Sequence, residues 1–235
     1  MKRKPFHKNY LEESYNMKKS SLLGLGLVLA TTGLTTLSSV NVSAHGYVIS
    51  PISRAYQGQL DKENIGYDFA VQKYGPIINE PQSLEAPQGF PKGGPADGKI
   101  ASANGARGFE LDKQTSSLWT KQNLTGGATK FTWKYTQSHP TSKWHYYITK
   151  PGWNQNKPLS RNELQLIGEV QGKGAQASTS PTHTITIPND RIGYHVILAV
   201  WDVSDTSNAF YNVIDANIQP RSILNDLNES LNESM

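Results

Sequence analysis

The chain has 235 residues, with 23 Lys and Arg, 19 Asp and Glu, no cysteine and a formal net charge of +4. Without thiols it forms neither disulfides nor thiolate metal sites. Six of the basic and two of the acidic residues fall within the first 44 positions, leaving 17 of each sign beyond them, so nothing there argues for nucleic acid or a membrane surface as partner.

Residues 1–44 read as an export signal. From Met17, "MKKSSLLGLGLVLATTGLTTLSSVNVSA" has a basic start, an apolar core and small residues before a cut after Ala44. Its run "LLGLGLVLA" falls short of the about 20 apolar residues a bilayer span needs. The polar "MKRKPFHKNYLEESYN" before it is either a long n-region or lies upstream of a true start at Met17. The expected product is secreted and extracellular, a monomer starting at His45. It is long enough to bury one core without covalent staples.

The first strand is "GYVISP", where Pro51 suits a strand end or sheet edge. Residues 52–115 are dense in Gly, Pro, Ala and Asp, as in "GFPKGGPADGKIASANGARG", and show little alternation. A structureless loop of that length is disfavoured, so a compact insertion with short helices is expected, "GYDFAVQKYG" supplying one helical turn. Strands follow at 131–137, 144–150, 182–188, 193–202 and 209–218, all rich in β-branched and aromatic residues between turn-forming Pro, Gly, Asn and Asp. "FTWKYTQ" puts Phe131, Trp133 and Tyr135 on one face. "HVILAV" is apolar without alternation, as in a strand covered on both faces. The pattern predicts a mostly β sandwich over 45–219, followed by a frayed tail at 220–235 with a repeated "LNES".

His45 carries the chemistry. Once exposed by cleavage, its α-amine loses a proton near neutral pH, at about 7.7–8.0 for an ordinary amine. Amine and ring nitrogen can then chelate one ion, and a third nitrogen from another histidine completes an in-plane set suited to Cu(II). His145, His183 and His195 lie within predicted strands, where a histidine is ordinarily structural. His139, in "TQSHPTSKW", sits just past a strand end, where sites are built.

From His45 to about Ile218 the chain resembles the bacterial lytic polysaccharide monooxygenases of auxiliary activity family 10, the chitin-binding-protein group. The matching stretches are "HGYVISPISRAY", "NEPQSLEAPQGFPKGGPADGKIASA", "ELDKQT", "FTWKYTQSHPTSKWHYYITKPGWN" and "IPNDRIGYHVILAVWDVSDTSNAFYNVIDANI". The resemblance implies an immunoglobulin/fibronectin-III-like β-sandwich with a long, partly helical insertion between its first two strands. It also implies one copper ion held by His45 and His139. Phe210 would wall one axial side, and Glu85, a buried acid, would position an oxygen species or pass a proton. Glu80 and position 79 belong to the implied substrate face. Asp205 and Asn208 match polar residues near the metal that bond sugar or orient neighbours, while Asp202 reads as structural. Taken alone, Phe210 is ordinary core and each acid an ordinary solvated charge.

The chain departs from the family twice. An aromatic often precedes the acid of "EPQS"; here it is Asn79, and Tyr67 or Tyr74 would have to present a substitute ring. A small alanine usually lies two residues before the second histidine; here it is Gln137, near the open axial position. The implied activity is oxidative cleavage of crystalline chitin, with oxidation at C1. Its co-substrates are hydrogen peroxide or dioxygen and an external electron donor. The alternative is a non-catalytic adhesin for chitin or N-acetylglucosamine glycans. A hydrolase is disfavoured, because no retaining or inverting carboxylate pair can be assigned.

Overall fold

The computed structural model describes residues 44–221. The export signal, apart from Ala44, and the tail beyond Arg221 lie outside the described residues. No helix among those described is long and apolar enough to cross a membrane.

The strands are β1 (His45–Ser50), β2 (Glu85–Pro87), β3 (Gln122–Thr125), β4 (Gly127–Gln137), β5 (Thr141–Thr149), β6 (Leu164–Gln171), β7 (Thr182–Ile187), β8 (Gly193–Val203) and β9 (Asn208–Gln219). One sheet runs β1-β4-β7. The other runs β2-β9-β8-β5-β6, with β3 added in parallel to β9. The sheets face each other as an immunoglobulin-like sandwich. Phe131, Trp133 and Tyr135 of β4 all point into its core, as alternation requires.

The centre of the larger sheet is buried on both faces. Along β8, Ile197, Ala199, Trp201 and Val203 pack into the sandwich core. Val196, Leu198 and Val200 instead pack against a second core beneath the insertion, and β9 divides its residues likewise, with Phe210 and Ile214 on one side and Tyr211 and Val213 on the other. This double burial is the physical reason for the unbroken apolar run read at "HVILAV".

The insertion holds two helices, α1 (Arg54–Ile65) and α2 (Tyr67–Tyr74), and also the short strands β2 and β3. Its anchor is Arg54, buried, which donates to both oxygens of Asp215 on β9 (2.8 and 2.6 Å) and to the Leu111 carbonyl (2.6 Å). Tyr194 also donates to Asp215 (2.6 Å), so the buried carboxylate is surrounded by donors.

Four elements differ from the sequence reading. Helix α1 was not individually expected, because it buries only Arg54, Ala55 and Gly58 and has no apolar stripe. Strand β6 was missed because it is an edge strand, mostly solvated and rich in Gln and Glu. The short strand β2 lies within the stretch 52–115 expected to be helix and loop, and β3 lies between that stretch and the first strand expected after it.

Candidate metal centre

His45 opens β1 and pairs with Gln137 at the end of β4, two residues before His139. Gly46 follows because nothing larger fits. A Cβ there would lie 2.2 Å from the Tyr135 ring, which stacks at 4.2 Å on Trp201. The His45 ring lies 6.5 Å from that of Phe210, which is fully buried on β9 and sits 5.1 Å from Trp201. Two strands from opposite sheets thus place an imidazole and an apolar ring side by side at one end of the sandwich.

His139 lies between β4 and β5 and is buried. Its carbonyl accepts from Ala177 N (3.1 Å) and Thr141 Oγ1 (3.2 Å), which fixes the backbone. Its Nδ1 lies 3.1 and 3.0 Å from the two oxygens of Asp205. Its Nε2 is buried without a hydrogen-bond partner. A buried polar atom left unpaired is costly, on the order of 1–3 kcal/mol, and calls for an explanation.

Glu85 and Asn208 form one unit. Glu85 pairs in register with Phe210, and Asn208 Nδ2 donates to its Oε1 at 2.9 Å. Glu85 is half-buried rather than buried as expected, since β2 is a three-residue edge strand. Gln137 is exposed.

The remaining residues expected at a substrate face make their contacts on the insertion. Glu80 pairs with Arg107 and accepts from Ser83 Oγ at 3.3 Å. Arg107 had no sequence signal, being one basic residue in a glycine-rich loop. Asn79 is exposed and donates to the Tyr67 hydroxyl at 3.0 Å. Tyr67 is 54% exposed, whereas Tyr74 is buried at 1% and cannot offer a ring to solvent. Exchanging Tyr67 for alanine should weaken retention on insoluble chitin about fivefold, the loss of one aromatic contact of about 1 kcal/mol. A pull-down isotherm checks this, and Tyr74→Phe should leave retention unchanged.

The other histidines are structural. His145 Nδ1 lies within hydrogen-bond distance of the Tyr147 hydroxyl (2.9 Å), and its Nε2 lies 3.2 Å from Asp202. His195 Nδ1 donates to the Thr149 carbonyl (3.1 Å), and Tyr146 donates to His183 Nδ1 (2.6 Å). Burial pushes His183 down to about 4, and His195 is also lowered, chiefly by burial. In the unfolded chain a histidine takes its proton near pH 6.5, so the unfolded state binds more protons below that pH. The histidines' contribution to stability is therefore full above about pH 6.5 and is lost as pH drops toward 4, His183 accounting for at most about 3 kcal/mol. Urea unfolding at pH 7.5 and 4.5 should show this loss, and His183→Gln should shrink it. An equal loss in the variant would assign it elsewhere.

Among the described residues, no cluster of three or more His, Cys, Asp or Glu side chains could hold a metal. A centre built on two histidines and a main-chain amine needs none. The orphaned Nε2 of His139 fits such a centre, and so does His45, whose register partner Gln137 lies two residues before His139. The peptide bond to Ala44 does not fit, because an amide nitrogen held in a planar bond is a poor ligand.

The sequence of this sandwich places it in a class, that of the polysaccharide monooxygenases. The family described as "lytic polysaccharide mono-oxygenase, cellulose-degrading" matches residues 45–216, and the chain belongs to it. A lytic chitin monooxygenase of Enterococcus faecalis is 45% identical over 207 residues, covering 86% of this chain and 100% of that protein. GlcNAc-binding protein A of Shewanella oneidensis is 44% identical over 225 residues, covering 92% of this chain. The chain spans only 45% of that relative's length. Among solved structures, a Bacillus amyloliquefaciens CBM33 in complex with Cu(I) is 60% identical at a TM-score of 0.73, over 74% of this chain and 100% of its own. An AA10 lytic polysaccharide monooxygenase from Photorhabdus luminescens is 42% identical at 0.70, over 75% and 100%. The family resemblance and the sandwich read from the sequence are both borne out.

Proposed function

We propose that this protein is a secreted, copper-dependent monooxygenase that cleaves chitin oxidatively at C1 after signal removal frees the His45 amine. The observation that carries the reading is the buried, unpartnered Nε2 of His139, in a loop whose strand pairs with His45. The copper bound to the Bacillus amyloliquefaciens relative supports the choice of metal. Chitin as substrate is supported by the Enterococcus faecalis relative's name and by the "GFPKGGPADGKIASA" insert.

His45, by amine and ring, and His139, by Nε2, would hold the copper. When bound, it would supply one-electron chemistry with dioxygen or hydrogen peroxide, driven by an external electron donor. The chain's own residues set the conditions. Phe210 presents apolar ring surface beside His45 and keeps water and competing ligands from that side. Glu85, held at Oε1 by Asn208, keeps its other oxygen available to take or give a proton. Gln137, across from His45, brings an amide where relatives carry a small side chain. Asn79 fixes the edge of the Tyr67 ring and leaves its face open to stack on sugar, while Arg107 and Glu80 add polar contacts alongside.

The test uses protein that begins at His45, loaded with copper and given ascorbate and β-chitin. Mass spectrometry should find aldonic-acid oligosaccharides. None appearing under either dioxygen or hydrogen peroxide would overturn the reading and leave a chitin- or N-acetylglucosamine-binding protein, the role that the Shewanella oneidensis relative's name describes.

A further inference from the structure

Asp205 was expected near the metal, to bond sugar or orient a neighbour, and its carboxylate lies against His139. Both of its oxygens lie within hydrogen-bond distance of Nδ1, at 3.1 and 3.0 Å. The loop that carries it, residues 204–207 between β8 and β9, is itself held on two sides. Ser204 N donates to the Pro140 carbonyl (2.9 Å), next in chain to His139. From the insertion, Gln88 N donates to the Ser207 carbonyl (3.0 Å) and Gln88 Nε2 to the Thr206 carbonyl (2.9 Å). The carboxylate is thus fixed relative to the ring, and the ring is fixed by its own backbone bonds.

A neutral imidazole carries one N–H, and the partner of one nitrogen decides which nitrogen bears it. An ionised carboxylate only accepts, so the nitrogen facing it must be the donor. The hydrogen then sits on Nδ1 and the lone pair on Nε2, the atom buried without a partner. The opposite tautomer would bury an N–H that meets no acceptor and would set two acceptors against each other at Nδ1. A carboxylate behind a ligating imidazole also raises the basicity of the ligating nitrogen.

We propose that Asp205 is a positioning residue: it locks His139 in the Nδ1–H tautomer and thereby presents Nε2 as a ready-made donor to the metal. The proposal rests on the two-histidine centre described above. It assigns Asp205 to the metal side of the site, although its side chain is 43% exposed and open to the substrate face.

Copper-free protein beginning at His45 tests the lock before any metal is present. Nitrogen-15 NMR of the His139 ring should show a protonated Nδ1 and a bare Nε2 in the wild type. Asp205→Ala should give a mixture of both tautomers, and Asp205→Glu, which keeps an accepting carboxylate, should restore the single form. Copper titration should weaken 10- to 100-fold in Asp205→Ala and recover most of the way in Asp205→Glu. Chitin pull-down is measured on the same variants. If Asp205→Ala keeps the wild-type tautomer or the wild-type copper affinity, the proposal is overturned. Loss of chitin retention alone would make Asp205 a sugar contact. Failure of the two-histidine centre itself has a separate signature, unchanged copper affinity in a variant that lacks the His139 ring.

Discussion

His139→Ala should yield a folded sandwich that no longer retains copper. The variant removes Nε2, a ring nitrogen buried without a hydrogen-bond partner, while the carbonyl of the same residue keeps its bonds to Ala177 and Thr141. Copper affinity should fall at least 100-fold, about 2.7 kcal/mol or more, and oxidised products should disappear. Thermal unfolding separates this from simple destabilisation. A metal that binds only the native state, at 100 times its dissociation constant, adds about 2.7 kcal/mol, which for a domain of this size raises Tm by roughly 5–10 °C. Wild-type protein should show that rise on adding copper and His139→Ala should show none. The metal-free forms should differ by only a few degrees. An unchanged copper titration would sink the assignment of His139.

The second expected result concerns a single peptide bond. Protein carrying one extra alanine before His45 should fold like the mature chain but bind copper at least 100-fold more weakly and release no oxidised chitin. The extension turns an amine into an amide, so the chelate ring through His45 cannot close although every side chain is present. The electron paramagnetic resonance spectrum of copper-loaded protein should change form as well, since one of three nitrogens has been lost. N-terminal sequencing of the exported protein should read His-Gly-Tyr. Full activity from the extended form would overturn the role given to the amine.

The elements legible from sequence are those whose burial leaves a periodic trace. Strand β4 alternates because one face meets the sandwich core and the other meets water, and β8 is unbroken because both faces are covered. Helix α1 left no trace: it is held by the buried Arg54 and by a close approach at Gly58, where a Cβ would lie 2.6 Å from the Tyr74 ring, and not by an apolar stripe. At the site, the candidate ligands could be picked out from His45 and from the position of His139 past a strand end. The partnerships could not. Asp205 and His139 are 66 residues apart, and Glu85 and Asn208 are 123 apart, so only folding brings them together. Tyr67 and Tyr74 are indistinguishable in sequence, and burial alone separates them. Arg107 was invisible, because one cation in a loop carries no pattern until its carboxylate partner is in place.

The double covering of β8 and β9 sets a rule for re-engineering this protein. The insertion that bears Tyr67, Asn79, Glu80 and Arg107 is also one wall of a core, with Tyr74, Ile77, Ile78 and Leu111 seated against the larger sheet. Transplanting a foreign insertion wholesale to retarget the enzyme would strip that wall and expose the apolar residues beneath it. A graft that keeps the inward-facing residues and the Arg54 anchor, and varies only the outward ones, changes what the protein grips without reopening its centre. The proposed substrate contacts and the core thus lie on opposite sides of the same segment, and they can be edited separately only along that division.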